Sequence, residues 1–172
     1  MDFVERFKDA CTVDRCVLLS RALTDGPSAT PPLRNLPTVF LQLWEIDGAA
    51  TVAGMREAAA LGAPTAASWL ANLLGRVESA SAAQAFMFDY LQDRDEPMRR
   101  RHAPQLARLS CVAGDSRSAR AFEFATTYLR DDVQLAMYRA IAASRIPDLG
   151  FTSGKISEDL VKAVTVFRQR VD

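Results

Sequence analysis

The apolar residues of this chain recur at intervals of three and four, which is the spacing that places side chains on one face of an α-helix. No stretch keeps the apolar–polar alternation of a half-buried strand. The helical spacing returns along the whole chain, at residues 3–11, 17–19, 39–44, 70–91, 106–111, 133–141 and 160–167. The pattern predicts an all-α fold built from short and medium helices.

Glycine and proline residues divide this pattern. Between residues 25 and 32 the sequence Asp-Gly-Pro-Ser-Ala-Thr-Pro-Pro interrupts it completely and predicts an extended linker. Pro37 then fits the first turn of the next helix. We therefore expect a short N-terminal helical arm with a Pro-rich linker at residues 1–35, followed by a single helical-bundle core domain at residues 36–172.

Within the core domain, single residues predict where helices begin and end. Asp47 and Gly48 end the first helix, and Gly75 bends or splits a long alanine-rich helix. Asp115 and Ser157 are good N-caps for two later helices, because their side-chain oxygens can accept hydrogen bonds from the first turn.

Composition and charge are those of a globular protein, with 49% apolar and 24% charged residues among 172. The 21 basic and 21 acidic side chains cancel, so a nucleic-acid site would have to be local. The first residues lack the pattern of a signal peptide, and no apolar run approaches the ~18 residues that a membrane span needs. We therefore expect no membrane partner.

Side chains for metal binding or catalysis are scarce. The three cysteines, Cys11, Cys16 and Cys111, have the spacing of neither a zinc site nor a disulfide framework, which favours reduced thiols in a cytosolic protein. His102 is the only histidine, and the sequence contains no Gly-rich phosphate loop and no nucleophile elbow. We expect no metal site, no cofactor, no small-molecule substrate and no catalytic residues.

The most informative segment is 118–124, Ser-Ala-Arg-Ala-Phe-Glu-Phe, in which Glu123 lies between two phenylalanines. On a helix, Arg120 and Glu123 share a face, so the segment can be an exposed stripe with an ordinary ion pair worth a few tenths of a kcal/mol. Aromatic side chains at Phe122 and Phe124 place apolar groups on more than one side, however. A glutamate on such a helix needs a partner, from Arg120 or from another segment.

The same segment resembles the aromatic–acidic–aromatic motif of the coat proteins of flexible filamentous plant viruses, the potyvirus and potexvirus type. Arg130 and Val133 fall where that family has Arg and Val after the motif. Three other segments resemble the family's Trp-containing helix, its Pro- and Arg-containing segment and its later alanine-rich helix, in the same order: 43–51, 96–104 and 137–143. The similarity covers roughly residues 36–145.

The resemblance implies a helical bundle whose copies polymerise around single-stranded RNA, in the virion and the host cytoplasm. In that family a Ser, an Arg and the acidic residue of the motif line an RNA pocket. Glu123 takes the acidic position, Arg76 the arginine position and Thr51 the serine position. Arg120 and Arg139, the basic residues of two matching segments, are further candidates for RNA binding.

Two more segments have both a plain and a functional interpretation. Arg99 and Arg100, in the Arg-Arg-Arg-His run, form either a solvated face or a patch that contacts RNA phosphates. The stripe of Phe3, Val4 and Phe7 is either a core helix or an arm that docks on the next subunit, which would give a head-to-tail, non-closing contact.

The sequence thus favours a viral coat protein, a helical capsid protein that binds RNA and itself. The alternative is a small α-helical adaptor that binds a protein partner and no nucleic acid. An enzyme is the least favoured class, because no residues with catalytic spacing were found.

Overall fold

The computed structural model describes residues 3–25, 36–147, 149, 161 and 165. In this part of the chain it has eight α-helices and no strand, which confirms the all-α prediction. None of the helices in these ranges is long and apolar enough to cross a membrane. The predicted linker beyond Asp25 and the predicted cap at Ser157 lie outside the described residues. The helices are α1 (Phe3–Asp9), α2 (Thr12–Thr24), α3 (Leu36–Ala60), α4 (Pro64–Val77), α5 (Ala80–Gln92), α6 (Glu96–Ala113), α7 (Ser118–Tyr128) and α8 (Asp132–Arg145).

The chain forms two compact units, Met1–Val77 and Glu78–Asp172. The first unit contains α1 to α4 and the second contains α5 to α8. Each unit has its own set of fully buried apolar side chains, as a compact helical unit requires.

The first unit is organised around α3, which packs against α1, α2 and α4. Phe7, Leu19, Phe40 and Leu70 are among its fully buried side chains. At Gly54 the backbone of α2 comes so close that an added Cβ would lie 2.8 Å from the carbonyl oxygen of Cys16. A glycine is therefore required for this helix contact.

Helix α3 continues through the predicted break at Asp47, where it kinks instead of ending. Asp47 has non-helical φ and ψ of −157° and 91°, and its carboxylate accepts a hydrogen bond from the Ala50 N–H at 3.0 Å. Asp47 is thus an N-cap inside the helix. The hydrogen bond from the Ala50 N–H lowers the pKa of the Asp47 carboxyl below its usual value, and the hydrogen bond and positive charge of Arg15 lower it further.

Arg15 joins α2 to the end of α1. Its Nε donates to the carbonyl of Phe7 at 2.8 Å, and a terminal nitrogen donates to the carbonyl of Lys8 at 2.7 Å. The other terminal nitrogen forms a hydrogen-bonded ion pair with Asp47 at 3.2 Å. Arg15 therefore satisfies the last carbonyls of α1 and fixes α1 beside the kink of α3.

The second unit is organised around α6, which packs against α5, α7 and α8. Met87, Leu106, Phe122 and Ala142 supply fully buried side chains from these four helices. Gly114 ends α6 with a positive φ of 58°, and an added Cβ would lie 2.9 Å from the carbonyl oxygen of Arg145. The glycine thus permits both the left-handed turn and the close approach of α8.

Two further predicted helix boundaries are wrong. The long alanine-rich helix breaks after Val77, and Gly75 lies exposed inside α4. The new helix begins after Ser79, whose hydroxyl accepts from the Ala82 N–H at 3.0 Å. Helix α7 begins at Ser118, directly after Arg117, so the predicted cap Asp115 lies in the preceding turn. A side-chain cap at Ser79 decides the first boundary more strongly than a glycine does.

Candidate nucleic-acid interface

Helix α7 contains residues 118–124, the segment with the aromatic–acidic–aromatic pattern. Some of its side chains are buried and others are exposed. Phe122 is fully buried, Phe124 is half-buried, and Arg120 and Glu123 are exposed. Glu123 therefore presents its carboxylate to solvent between one buried and one half-buried ring.

A buried polar network sets the start of α7 against α5. The Ser118 hydroxyl lies 2.6 Å from Oε1 of Gln84 and 3.0 Å from Oδ1 of Asp115, and both Ser118 and Gln84 are buried. A hydrogen bond from Ser81, with others from Arg117 and Ser118, holds the pKa of the Asp115 carboxyl below its usual value. The network fixes the α6–α7 turn, and with it the direction of Arg120.

Three half-buried rings from α5 and α7 form a row. Phe88 meets Phe124 edge to face with centroids 5.4 Å apart, and the Phe124 and Tyr128 centroids are 5.1 Å apart. An arginine lies at each end of the row. We call Phe88, Phe124, Tyr128, Arg120 and Arg99 the arginine–aromatic cluster.

The two arginines of this cluster differ in their solvent exposure and in the number of rings that they contact. The Arg120 guanidinium lies 5.9 Å from the Phe88 centroid, and its side chain is exposed. The Arg99 guanidinium lies 5.6 Å from the Phe124 centroid and 5.5 Å from the Tyr128 centroid. All three distances are typical of cation–π contacts. Arg120 is therefore the accessible cation of the pair.

Arg99 closes the end of α5. It donates from Nε to the Leu91 carbonyl at 3.1 Å, and from its terminal nitrogens to the Gln92 carbonyl at 2.6 Å and the Tyr128 hydroxyl at 2.8 Å. Each guanidinium nitrogen thus has a partner inside the unit. The sequence predicted Arg99 as an RNA contact, and the structure gives it the same helix-closing role that Arg15 has in the first unit.

The sequence beside the cluster is rich in arginine. Residues 97–122 contain six arginines and one acidic residue, Asp115, although the chain as a whole is neutral. Arg100 pairs with Glu96 one turn earlier on α6, and Arg101 is exposed. Helices α6 and α7 thus carry five of the 14 basic residues of the second unit, together with two acidic ones, Glu96 and Glu123.

Sequence analysis missed several members of this surface. Arg108 and Arg117 are exposed arginines of the same basic stretch, and Phe88 and Tyr128 are rings of the cluster. The spacing of seven between Arg101 and Arg108, which places both on one helix face, was a usable signal for the arginines. The contact between Phe88 and Phe124 joins two helices, so no local sequence pattern predicts it.

His102 lies on the inner side of α6 and adds no charge to this surface at neutral pH. It is 2% exposed, and its ring is edge-on to Tyr90 with centroids 6.1 Å apart. Burial lowers the pKa of the imidazole to about 4, with a further contribution from the nearby charge of Arg101.

The other predicted RNA-binding residues lie in different places. Thr51 is fully buried in the first unit and donates its hydroxyl to the Asp47 carbonyl at 2.8 Å. Arg76 is exposed near the end of α4, and Arg139 is half-buried on α8. The structure thus brings Arg99 and Arg120 together in one cluster, and places Thr51 and Arg76 in the other unit.

The predicted docking stripe packs within its own chain. Phe3 is 4% exposed and Phe7 is fully buried, with their ring centroids 6.4 Å apart, while Val4 is half-buried. Docking of these side chains on a neighbouring subunit would therefore require α1 to leave the first unit.

Within the described part of the chain, no group of three or more His, Cys, Asp or Glu side chains is placed to hold a metal ion. The three cysteines are free thiols. Burial raises the pKa of Cys111 to about 11, and burial together with the Glu57 carboxylate raises the pKa of Cys16. Both thiols are therefore protonated at neutral pH.

The chain matches no protein-family model, and neither a curated protein nor a solved structure is significantly similar to it.

Proposed function

We propose that the chain is a viral coat protein that polymerises around single-stranded RNA, and that α5 to α7 of the second unit form its RNA-binding surface. The observation that carries the proposal is the arginine–aromatic cluster beside a stretch with six arginines and one acidic residue. The resemblance of residues 118–124 to the coat-protein motif agrees with this location.

The chemistry of the surface suits a single strand. Proteins that bind single-stranded nucleic acid combine cations that follow the backbone with aromatic rings on which bases stack. Arg101, Arg108 and Arg120 supply exposed cations, and the partly exposed Phe88 and Phe124 supply rings. Unstacked bases are available to such rings in a single strand, whereas a duplex buries them.

Glu123 has a separate role in this proposal. Its exposed carboxylate repels phosphates, so it would not contact the backbone directly. It would accept hydrogen bonds from a base amino group or a 2′-hydroxyl, both of which are donors at the edge of a single strand. Glu123 would thereby set how the RNA lies on the basic surface.

The test is the salt dependence of RNA binding, measured by fluorescence anisotropy with a labelled single-stranded RNA. Each phosphate contact contributes about 0.7 to the slope of log affinity against log salt for a single strand. Replacing Arg101 and Arg120 together by Gln should therefore reduce the slope by about 1.4 and weaken binding at every salt concentration.

The matched control replaces Arg6 and Arg56, two exposed arginines of the first unit, by Gln. This variant has the same change in net charge, and its slope should equal that of the wild type. Equal slopes for all three proteins, or no RNA binding by the wild type, would contradict the proposed surface.

A nucleic-acid-free adaptor is the second candidate, because exposed apolar side chains such as Met137 and Ile141 on α8 suit a protein partner. If the purified protein contains no RNA and binds none, the adaptor is favoured over the coat protein. In both cases the proposed role is binding rather than catalysis.

A further inference from the structure

The Tyr128 hydroxyl lies beside Arg99 in the arginine–aromatic cluster, and only part of its hydrogen-bonding capacity is used. It accepts a hydrogen bond from a terminal nitrogen of Arg99 at 2.8 Å. A phenol can also donate the hydrogen of its own O–H group. In the part of the chain that the structure describes, this hydrogen has no acceptor. Tyr128 can therefore donate to a ligand while it keeps its bond with Arg99.

Arg99 also has donors that are not used. A guanidinium carries five N–H groups. Three of these donate to the Leu91 carbonyl, the Gln92 carbonyl and the Tyr128 hydroxyl. Within the described ranges the other two have no acceptor, and no carboxylate forms an ion pair with Arg99. The positive charge of Arg99 therefore lies next to the Tyr128 hydroxyl without a neutralising anion.

This charge decides which acceptor the Tyr128 hydroxyl binds best. Hydrogen bonds in a chain polarise one another, so the bond from the guanidinium makes the phenol O–H a stronger donor. The positive charge also attracts an anionic acceptor. An O–H group forms a shorter and stronger hydrogen bond with an anionic oxygen than with a neutral one. The pair of Arg99 and Tyr128 therefore suits a phosphate oxygen.

Packing holds this pair in place before any ligand binds. The centroids of Phe124 and Tyr128 are 5.1 Å apart, and the Arg99 guanidinium lies 5.5 Å from the Tyr128 centroid. The two carbonyls at the end of α5 fix the guanidinium from the other side. A donor that is already in position loses little conformational freedom on binding. A phosphate bound here would also lie close to Phe124, on which a base can stack.

We propose that Tyr128 and Arg99 bind a phosphate of the single-stranded RNA, with the Tyr128 hydroxyl as the donor and Arg99 as the positioning charge. This inference deepens the proposed function, on which it rests, by naming a phosphate contact at the opposite end of the ring row from Arg120. Arg120 and Tyr128 are eight residues apart on α7, a rise of about 12 Å. The cluster therefore contacts more than one phosphate of the strand.

The test compares two Tyr→Phe variants of the full chain, by fluorescence anisotropy with labelled oligonucleotides. Tyr128→Phe removes the hydroxyl and keeps the ring. Tyr90→Phe is the matched control, because the Tyr90 hydroxyl is buried from solvent and cannot contact RNA. Tyr128→Phe should weaken binding about tenfold, which is the effect of one hydrogen bond to a charged group. Tyr90→Phe should bind like the wild type.

The salt dependence separates a lost hydroxyl contact from displaced arginines. Tyr128→Phe removes no charge, so its slope of log affinity against log salt should equal that of the wild type. A smaller slope would show that the weaker binding comes from movement of the arginines. That result would overturn the assignment of the hydroxyl as a donor, as would an unchanged affinity.

Three oligonucleotides identify the acceptor: oligoadenylate, oligouridylate and oligodeoxyadenylate. All three have phosphates, but adenine lacks the carbonyl oxygens of uracil, and the DNA lacks the 2′-hydroxyl. A phosphate contact predicts the same loss of affinity with each of them. A loss confined to oligouridylate would place the hydroxyl on a base, and a loss confined to the two RNAs would place it on a 2′-hydroxyl. Either result would overturn the phosphate contact.

The inference and the proposed function can fail separately. Circular dichroism of both Phe variants should match the wild type, because the ring and its contact with Phe124 are kept. If Tyr128→Phe binds like the wild type while the Gln variant of Arg101 and Arg120 has a reduced slope, only the hydroxyl contact is overturned. If Tyr128→Phe weakens binding while the Gln variant keeps the wild-type slope, only the basic surface is overturned.

Discussion

Three consecutive arginines on α6, Arg99 to Arg101, have three different surroundings. Successive residues on a helix point about 100° apart, so neighbours in sequence reach different surroundings. Arg99 closes the end of α5, Arg100 pairs with Glu96, and Arg101 is exposed. The sequence predicts a basic cluster correctly, but which arginine remains accessible depends on carbonyls seven and eight residues earlier.

His102 gives a prediction about pH. Its pKa is about 4 in the folded chain against the ordinary 6.5 of a histidine, so the unfolded chain binds the proton at a higher pH than the folded chain does. The stability that this difference provides is fully present above pH 6.5 and is lost as the pH falls toward 4. The free energy of unfolding should therefore decrease by about 2 kcal/mol between pH 7 and pH 5.

Urea denaturation at the two pH values measures this decrease, and His102→Gln serves as the comparison. The chain has no other histidine, so the variant has no group with an ordinary pKa near 6.5. Its stability should differ little between pH 7 and pH 5, whatever its absolute value. The same decrease in the variant and the wild type would show that His102 is not responsible.

At the level of helices, periodic patterns predicted which segments are helical, and capping groups decided where they end. Helix α7 was predicted as the helix that carries residues 118–124, with Asp115 as its cap, and α8 was predicted from the stripe at residues 133–141. Asp47 was predicted to end a helix and instead caps its second half, because Arg15 and Ala50 both bond to its carboxylate. Arg15 is 32 residues away from Asp47 in the sequence, so no local sequence pattern could predict this contact.

The contact between α2 and α3 gives a second prediction. Gly54→Ala would place a methyl group 2.8 Å from the Cys16 carbonyl oxygen and 3.1 Å from Cβ of Leu19. Both neighbours belong to packed helix, so α2 has to shift. The substitution should reduce the free energy of unfolding by about 1–3 kcal/mol, measured by urea denaturation.

Gly75→Ala is the matched control, since Gly75 is exposed inside α4. There, alanine should raise the stability by up to about 1 kcal/mol because of its higher helix propensity. The two substitutions are chemically identical, so opposite signs would show that packing at Gly54 causes the loss. Stabilisation by both would argue against the close contact of α2 with α3.

For the whole molecule, the neutral total charge conceals an uneven distribution. The basic stretch at residues 97–122 lies in the second unit and contains one acidic residue, Asp115, while Glu96 and Glu123 adjoin its two ends. The motif predicted Arg120 and Glu123 as neighbours on one helix, which α7 confirms. Tyr128 follows Phe124 by four residues on the same helix, whereas Phe88 of α5 joins them through packing between helices, so the arginine–aromatic cluster could be only partly predicted from sequence.

The proposed RNA-coating role is tested most directly by negative-stain electron microscopy of the purified protein mixed with single-stranded RNA at low salt. The account predicts flexible filaments of uniform width, in which the RNA resists ribonuclease because the subunits cover it. Small uniform particles, with the RNA fully digested at the same protein concentration, would contradict it.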